Sequence, residues 1–261
     1  MSSRSFTVET RRGRLAAEEF LPEGTADRTV LVFLHDALGS LSQWKGFPAR
    51  LCAAAGCRGF AYERFGSGAS DPLPAPRTPR YLHEEAETLG EVLDSVGIER
   101  PVLLGHSDGG TIALLFAARF PERPVAVVTE AAHVLVEEVT REGIRAAAKQ
   151  WEAGPLRAGL ERYHAGKTEA LYHAWADTWL GDGYEAWDVR AELSPVRCPA
   201  LAIQGTDDEY GTTEQVEGIV RNVSGRARSL LLPRVGHVPH REAERLVTEV
   251  VVEFLRDLPD F

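Results

Sequence analysis

The sequence predicts an α/β fold: a mostly parallel sheet of eight strands flanked by helices, with a helical cap over one edge. Three observations predict it. Short apolar runs alternate with helix-length stretches, the βαβα order that places helices on both faces of a parallel sheet. The runs are apolar at nearly every position, as in strands buried on both faces. The alternation then breaks once, across residues 134–190, in a helical stretch rich in tryptophan.

Residues 5–9 and 14–18 read as a leading antiparallel pair joined across Arg12-Gly13. The apolar runs at 29–34, 101–105, 125–128, 200–203 and 229–232, with a short one ending at Ala61-Tyr62, supply the other strands. Helix-like stretches occupy 44–55, 81–95, 110–119, 213–223 and 242–255. In the last of these, Leu246, Val250 and Phe254 recur at i, i+4 and i+8 while charged residues fill other faces. Four of the five tryptophans, Trp151, Trp175, Trp179 and Trp187, lie in the irregular stretch. It reads as a cap over the C-terminal ends of the strands, where open α/β sheets place their ligands. The organisation expected is therefore core at 1–133, cap at 134–190 and core again at 191–261.

At 261 residues the chain is long enough for one sizeable core, and 44% hydrophobic with 26% charged types is the balance of a globular protein. Arg4, Arg11, Arg12, Arg14, Glu18 and Glu19 interrupt the start, which has no apolar run of signal or membrane-spanning length. Three cysteines, Cys52, Cys57 and Cys198, give neither a closed disulfide framework nor a paired ligand set. A cytoplasmic location is the expectation. A net charge of −10 without a basic tract argues against a nucleic-acid binder. The expected partner is a small molecule, with no membrane, metal or cofactor; the oligomeric state is left open.

The sharpest chemical signal is Gly105-His106-Ser107-Asp108-Gly109, a Gly-x-Ser-x-Gly pattern between an apolar strand and the helix-like stretch from Gly110. A serine on this turn is lifted toward the ligand crevice, and the flanking glycines remove side chains that would collide with neighbouring elements. A serine hydroxyl needs a base. His237 follows the last strand and Gly236; His240 is its rival three residues on. Closeness to the strand end favours His237. An acid should follow an earlier strand, and Asp207 and Asp208 after Gly205 stand nearly even on the residues alone. Main-chain donors for a developing oxyanion are expected from Asp108 and from Ala37, in the loop His35-Asp36-Ala37-Leu38-Gly39. His35 itself reads as a buried turn histidine bonded to backbone. In Arg64-Phe65-Gly66-Ser67-Gly68 the nucleotide-loop pattern is absent, and Arg64 is expected to pair with a carboxylate or with backbone oxygens.

Together these segments resemble the α/β-hydrolase superfamily over nearly the whole chain, most nearly capped esterases and valacyclovir-hydrolase-like enzymes. The resemblance implies a triad of Ser107, Asp208 and His237, choosing Asp208 over Asp207. One departure stands out: the oxyanion loop usually opens His-Gly, and here it opens His35-Asp36. In valacyclovir-hydrolase-like enzymes an acid after the nucleophile is associated with the substrate's amino group, a role that would fall on Asp108. An internal salt bridge or a helix N-terminal interaction is the other reading of Asp108. Glu130, His133, Trp151, Trp175 and Trp179 complete the expected substrate-binding set. The activity implied is cleavage of a small or medium carboxylic ester through an acyl-enzyme, with an amino-acid ester as one form. The alternatives are a lactone, amide or carbon-carbon bond hydrolase on the same triad, or a non-catalytic small-molecule receptor.

Overall fold

The computed structural model describes residues 2–22, 29–259 and 261. β1 (Ser2–Thr10) and β2 (Gly13–Leu21) form the antiparallel hairpin, with Thr10 opposite Gly13 across the turn. β3 (Val30–Leu34), β4 (Arg58–Tyr62), β5 (Pro101–His106), β6 (Ala126–Glu130), β7 (Ala200–Gly205) and β8 (Ala227–Leu232) follow. The eight strands make one sheet in the order β1-β2-β4-β3-β5-β6-β7-β8. Every pairing from β4 to β8 is parallel, while β2 meets β4 antiparallel.

The central strands are apolar on both faces because each face has its own core. On β3, Leu31 and Phe33 point into one cluster and Val32 and Leu34 into the other. On β5, Val102 and Leu104 oppose Leu103 in the same way. This is the two-residue period of a strand read on both sides. α1 (Phe47–Ala55) and α9 (Glu244–Arg256), the latter preceded by the one-turn α8 (Pro239–Glu242), cover one face; α2 (Tyr81–Ser95), α3 (Asp108–Arg119) and α7 (Glu214–Asn222) contribute to the other. Each fully buried leucine or phenylalanine contributes roughly 1.5–3 kcal/mol.

Three expectations need correction. β8 is the edge strand and is covered incompletely, leaving Leu231 40% exposed. The stretch at 44–55 is broken: Lys45 and Gly46 both take positive φ, separating a 3-10 turn (Leu41–Trp44) from α1. On α9 the stripe Leu246-Val250-Phe254 is not the centre of the buried face, since Leu246 is 41% exposed. The neighbouring stripe Val247-Val251-Leu255 is fully buried. Both stripes are apolar, and packing against the sheet and α1 selects between them.

Between β6 and β7 the chain forms the helical cap: α4 (Glu138–Ala153), α5 (Pro155–His164) and α6 (Thr168–Leu180), then two 3-10 turns. The two ends of this excursion are tied at its base by a bridge between Leu135 and Asp188. The Val136 N–H donates to Trp187 and the Val189 N–H to Val134. Glu137 and Thr140 form the capping box that starts α4, and Gly154 with Pro155 turns the chain into α5. Among the described residues no helix is long and apolar enough to cross a membrane. No group of His, Cys, Asp and Glu suited to a metal is present among them either. The three cysteines are free and buried.

Candidate active site

The parallel register brings the C-terminal ends of β3, β5, β7 and β8 to one edge of the sheet, so the loops after them meet beneath the cap. Ser107 sits between β5 and α3 at φ 53°, ψ −120°. A non-glycine residue is held there at a cost of about 1–3 kcal/mol. Close packing holds it: a Cβ on Gly105 would lie 2.1 Å from the Gly109 carbonyl oxygen, and one on Gly109 would lie 2.0 Å from that of Leu34. The Ser107 N–H donates to the Glu130 carbonyl at 2.8 Å, anchoring the bend to β6.

The Ser107 Oγ lies 3.0 Å from His237 Nε2. His237 Nδ1 lies 2.8 and 3.0 Å from the two oxygens of Asp208. A carboxylate only accepts, so Nδ1 carries the proton and Nε2 is left to accept from the serine. Asp208 is in turn oriented by the Gln204 side-chain amide at 2.7 Å and the Tyr210 N–H at 2.8 Å. Burial pushes its pKa upward, but the bonds from His237 and Tyr210 outweigh burial and hold Asp208 below the ordinary carboxylate range. Asp207, the rival acid, turns away to the Thr206 hydroxyl. His240, the rival base, is buried against Trp44 and Phe47, with its Nδ1 2.6 Å from Glu130.

Ala37 and Asp108 line the cavity together with Ser107, and the main-chain amide of neither is taken by another acceptor among the described residues. His35 is the buried turn histidine expected. Its Nε2 accepts from the Arg64 N–H and its Nδ1 donates to the Asp36 carbonyl. Burial, reinforced by the Arg64 charge, pushes its pKa down to about 3 and keeps it neutral.

The Asp108 side chain takes the salt-bridge reading. One of its oxygens accepts from both terminal nitrogens of Arg64 at 3.2 Å, and the Tyr81 hydroxyl lies 3.0 Å from each oxygen. Both charged side chains are 2% exposed. The Trp179 indole N–H donates to the same hydroxyl at 2.8 Å, linking the cap to this pair.

A cavity of about 290 Å³ opens above Ser107. Ile144, Leu156, Leu160, Trp175 and Trp179 give it an apolar roof, while His133, Tyr210 and His237 stand on the floor side. His133 is fixed by its Nε2 on the Tyr210 carbonyl and by its backbone on Thr111. Burial, with the nearby His237 adding to it, lowers its pKa.

Trp175, Trp179, His133 and Asp108 thus reach the cavity as expected. Two expected binding residues do not. Glu130 is fully buried and committed to His240. Trp151 stacks flat on Tyr172, 3.9 Å between ring centres, and props the cap from outside the cavity. Sequence reasoning missed Gln204, Tyr210, Tyr81, Leu156 and Leu160. Gln204 left a signal, a polar residue in an otherwise apolar strand; the others left none.

Residues 29–191 match the profile of a family described as alpha/beta hydrolase fold. The chain belongs to the α/β-hydrolase fold family. It is a capped member, with the helices α4, α5 and α6 inserted between β6 and β7. A Bacillus subtilis relative, provisionally named a 2-succinyl-6-hydroxy-2,4-cyclohexadiene-1-carboxylate synthase, is 26% identical, over 90% of this chain and 93% of its own. A 2-hydroxy-6-oxononadienedioate/2-hydroxy-6-oxononatrienedioate hydrolase of Burkholderia vietnamiensis is 29% identical, over 87% of this chain and 86% of its own. In fold, this α/β-hydrolase is similar to the proline iminopeptidase of Mycobacterium smegmatis. The TM-score is 0.77 at 22% identity, covering 97% of this chain and 98% of that one.

Proposed function

We propose that this α/β-hydrolase cleaves a small or medium carboxylic ester with a neutral, apolar acyl group, through an acyl-enzyme on Ser107. The observation that carries the reading is the unbroken path Asp208–His237–Ser107, at hydrogen-bond distances, opening into a cavity beside two amides that hold no other acceptor.

In the proposed cycle Ser107 Oγ attacks the ester carbonyl carbon as His237 Nε2 takes its proton. The carbonyl oxygen becomes an oxyanion and accepts from the N–H groups of Ala37 and Asp108, with the N-terminus of α3 adding favourable field. Asp208 keeps the imidazole oriented and stabilises its charged form. The imidazolium then gives its proton to the leaving alkoxide. Water, deprotonated by His237, attacks the acyl carbon; the acid leaves and Ser107 regains its proton.

The apolar roof supports a hydrocarbon acyl or alcohol part. The amino-acid ester is set aside, because Asp108 already holds Arg64 and Tyr81, so an ammonium group would meet a neutralised carboxylate. The relatives named as a synthase and as a hydrolase of oxo acids keep a wider range of bonds in view. An ester, lactone and amide panel on the native protein and Ser107→Ala tests the reading, alongside labelling by a fluorophosphonate. Ester turnover and labelling that both vanish in Ser107→Ala, with no preference for aminoacyl over matched neutral esters, are expected. Tight ligand binding without turnover or labelling would instead make the protein a receptor.

A further inference from the structure

Asp36 stands where the oxyanion loop of the family usually has glycine, and the ester-cleaving cycle leaves its carboxylate without a role. The carboxylate is not idle. Its Oδ1 accepts the Leu38 N–H at 2.8 Å, closing a turn around Ala37. Its Oδ2 faces His106 Nδ1 at 3.4 Å. His106, the residue before Ser107, places its Nε2 2.7 Å from the carbonyl of His237. A carbonyl only accepts, so His106 Nε2 carries a proton, and the Asp36 carboxylate facing Nδ1 favours a proton there as well. The same Asp36 contributes its main-chain carbonyl to His35 Nδ1, to an Arg64 terminal nitrogen at 2.7 Å and to the Gly39 N–H.

We infer that Asp36 and His106 form a clamp that positions the Ala37 amide and the His237 loop on either side of Ser107. The inference rests on the ester-cleaving reading, since it assigns positioning residues for that reaction. Ala37 lies between a carbonyl held by three donors and a carboxylate held by Leu38 and His106, so its N–H cannot swing away without breaking one of them. The other end of the clamp sets the backbone height of the base. Glycine at position 36 would leave the loop's hydrogen-bonded carbonyl in place but remove its tie to β5 and, through His106, to His237.

The Asp36 contact also bears on the acidity of His106. The charged and titratable groups around its ring are Asp36, Glu130, His237 and His240; ring centres lie 5.2 Å from His237 and 5.0 Å from His240, and Glu130 is bound to His240. Burial works against its charge, but the bond to Asp36 prevails and raises its pKa.

The test measures kcat and KM with p-nitrophenyl acetate, fluorophosphonate labelling rate, and thermal melting. The proteins compared are the native one, Asp36→Gly, His106→Ala, His106→Gln and the Asp36→Gly/His106→Ala double variant. Expected are losses of about tenfold or more in kcat for Asp36→Gly and His106→Ala with KM within about twofold, a pattern of lost transition-state geometry. The double variant falls no lower than His106→Ala by more than about threefold, because both changes open one clamp. His106→Gln keeps a donor for the His237 carbonyl and recovers part of kcat, which a change that only loosened the fold would not do. Asp36→Gly that melts like the native protein and keeps kcat within twofold overturns the clamp, as do multiplicative losses in the double variant. Asp36 is 31% exposed, so Asp36→Gly decides the matter even where His106→Ala does not fold. A native protein that neither turns over esters nor labels overturns the reading underneath, and the clamp with it.

Discussion

The floor and the roof of the cavity are built by opposite means. The floor is polar, and three carboxylates near Ser107 are paired: Asp208 with His237, Asp108 with Arg64, Asp36 with His106. Its side chains come from strand ends whose register is set by a sheet buried on both faces. The roof is hydrocarbon and indole carried on three short helices. It is tied to the floor by Trp179 on Tyr81, by Thr140 on the Tyr210 carbonyl, and by His164, whose Nε2 donates to the Leu38 carbonyl while its Nδ1 accepts the Gly68 N–H. The floor therefore defines which bond breaks and the roof defines what carries that bond. Changes in the floor should appear in kcat and stability, and changes in the roof in the choice of substrate.

The largest expected effect belongs to Asp208→Asn, which keeps shape but stabilises the wrong histidine tautomer. It should lower kcat on the best ester by about 10³–10⁴ with little change in KM. A loss under tenfold would break the distinction at its centre. Next comes Arg64→Met, which leaves Asp108 buried without its cation. Urea denaturation should show a loss of about 3–5 kcal/mol, and Asp108→Leu added to it should restore much of that. Equal stability of Arg64→Met and the native protein would show that the floor's pairing does not hold it together.

Trp175→Ala tests the roof. It should reduce kcat/KM by roughly tenfold for a medium-chain acyl ester and much less for an acetate, as removing apolar pocket surface does. Equal losses on both esters would mean that Trp175 holds the floor rather than selecting the acyl chain.

The last effect is one of pH, and it is small within any one unit near neutrality. His35 is neutral in the fold, its pKa at about 3 against 6.5 when unfolded. Between those values the unfolded chain binds more protons, so stability falls as pH falls, by up to about 1.4 kcal/mol per unit. His35→Gln should flatten the stability curve between about pH 6.5 and 3; an unchanged slope would place the acid sensitivity elsewhere.

The same contrast explains what could be read from the residues. Floor elements announce themselves because their chemistry and their strand context coincide: Gly105 through Gly109 has one workable geometry at a strand-to-helix bend. The choice between Asp207 and Asp208 was not legible from the residues alone, because both follow the same glycine and only three-dimensional packing sends one toward Thr206 and the other toward His237. Roof residues were legible by type but not by direction. Trp151, Trp175 and Trp179 look alike along the chain, yet Trp151 is turned away by its stack on Tyr172. The α9 stripe failed for the same reason, two apolar faces competing with no local signal to choose between them. Tyr81 was invisible because its partners, Asp108 and Trp179, lie far from it in the chain.

The most direct test of the central claim is to trap the intermediate. Acid quenching of the native protein during turnover of a p-nitrophenyl ester, followed by peptide mass spectrometry, should find the acyl mass on Ser107, and none in Ser107→Ala. Turnover that leaves Ser107 unmodified, or that persists in Ser107→Ala, would contradict the account.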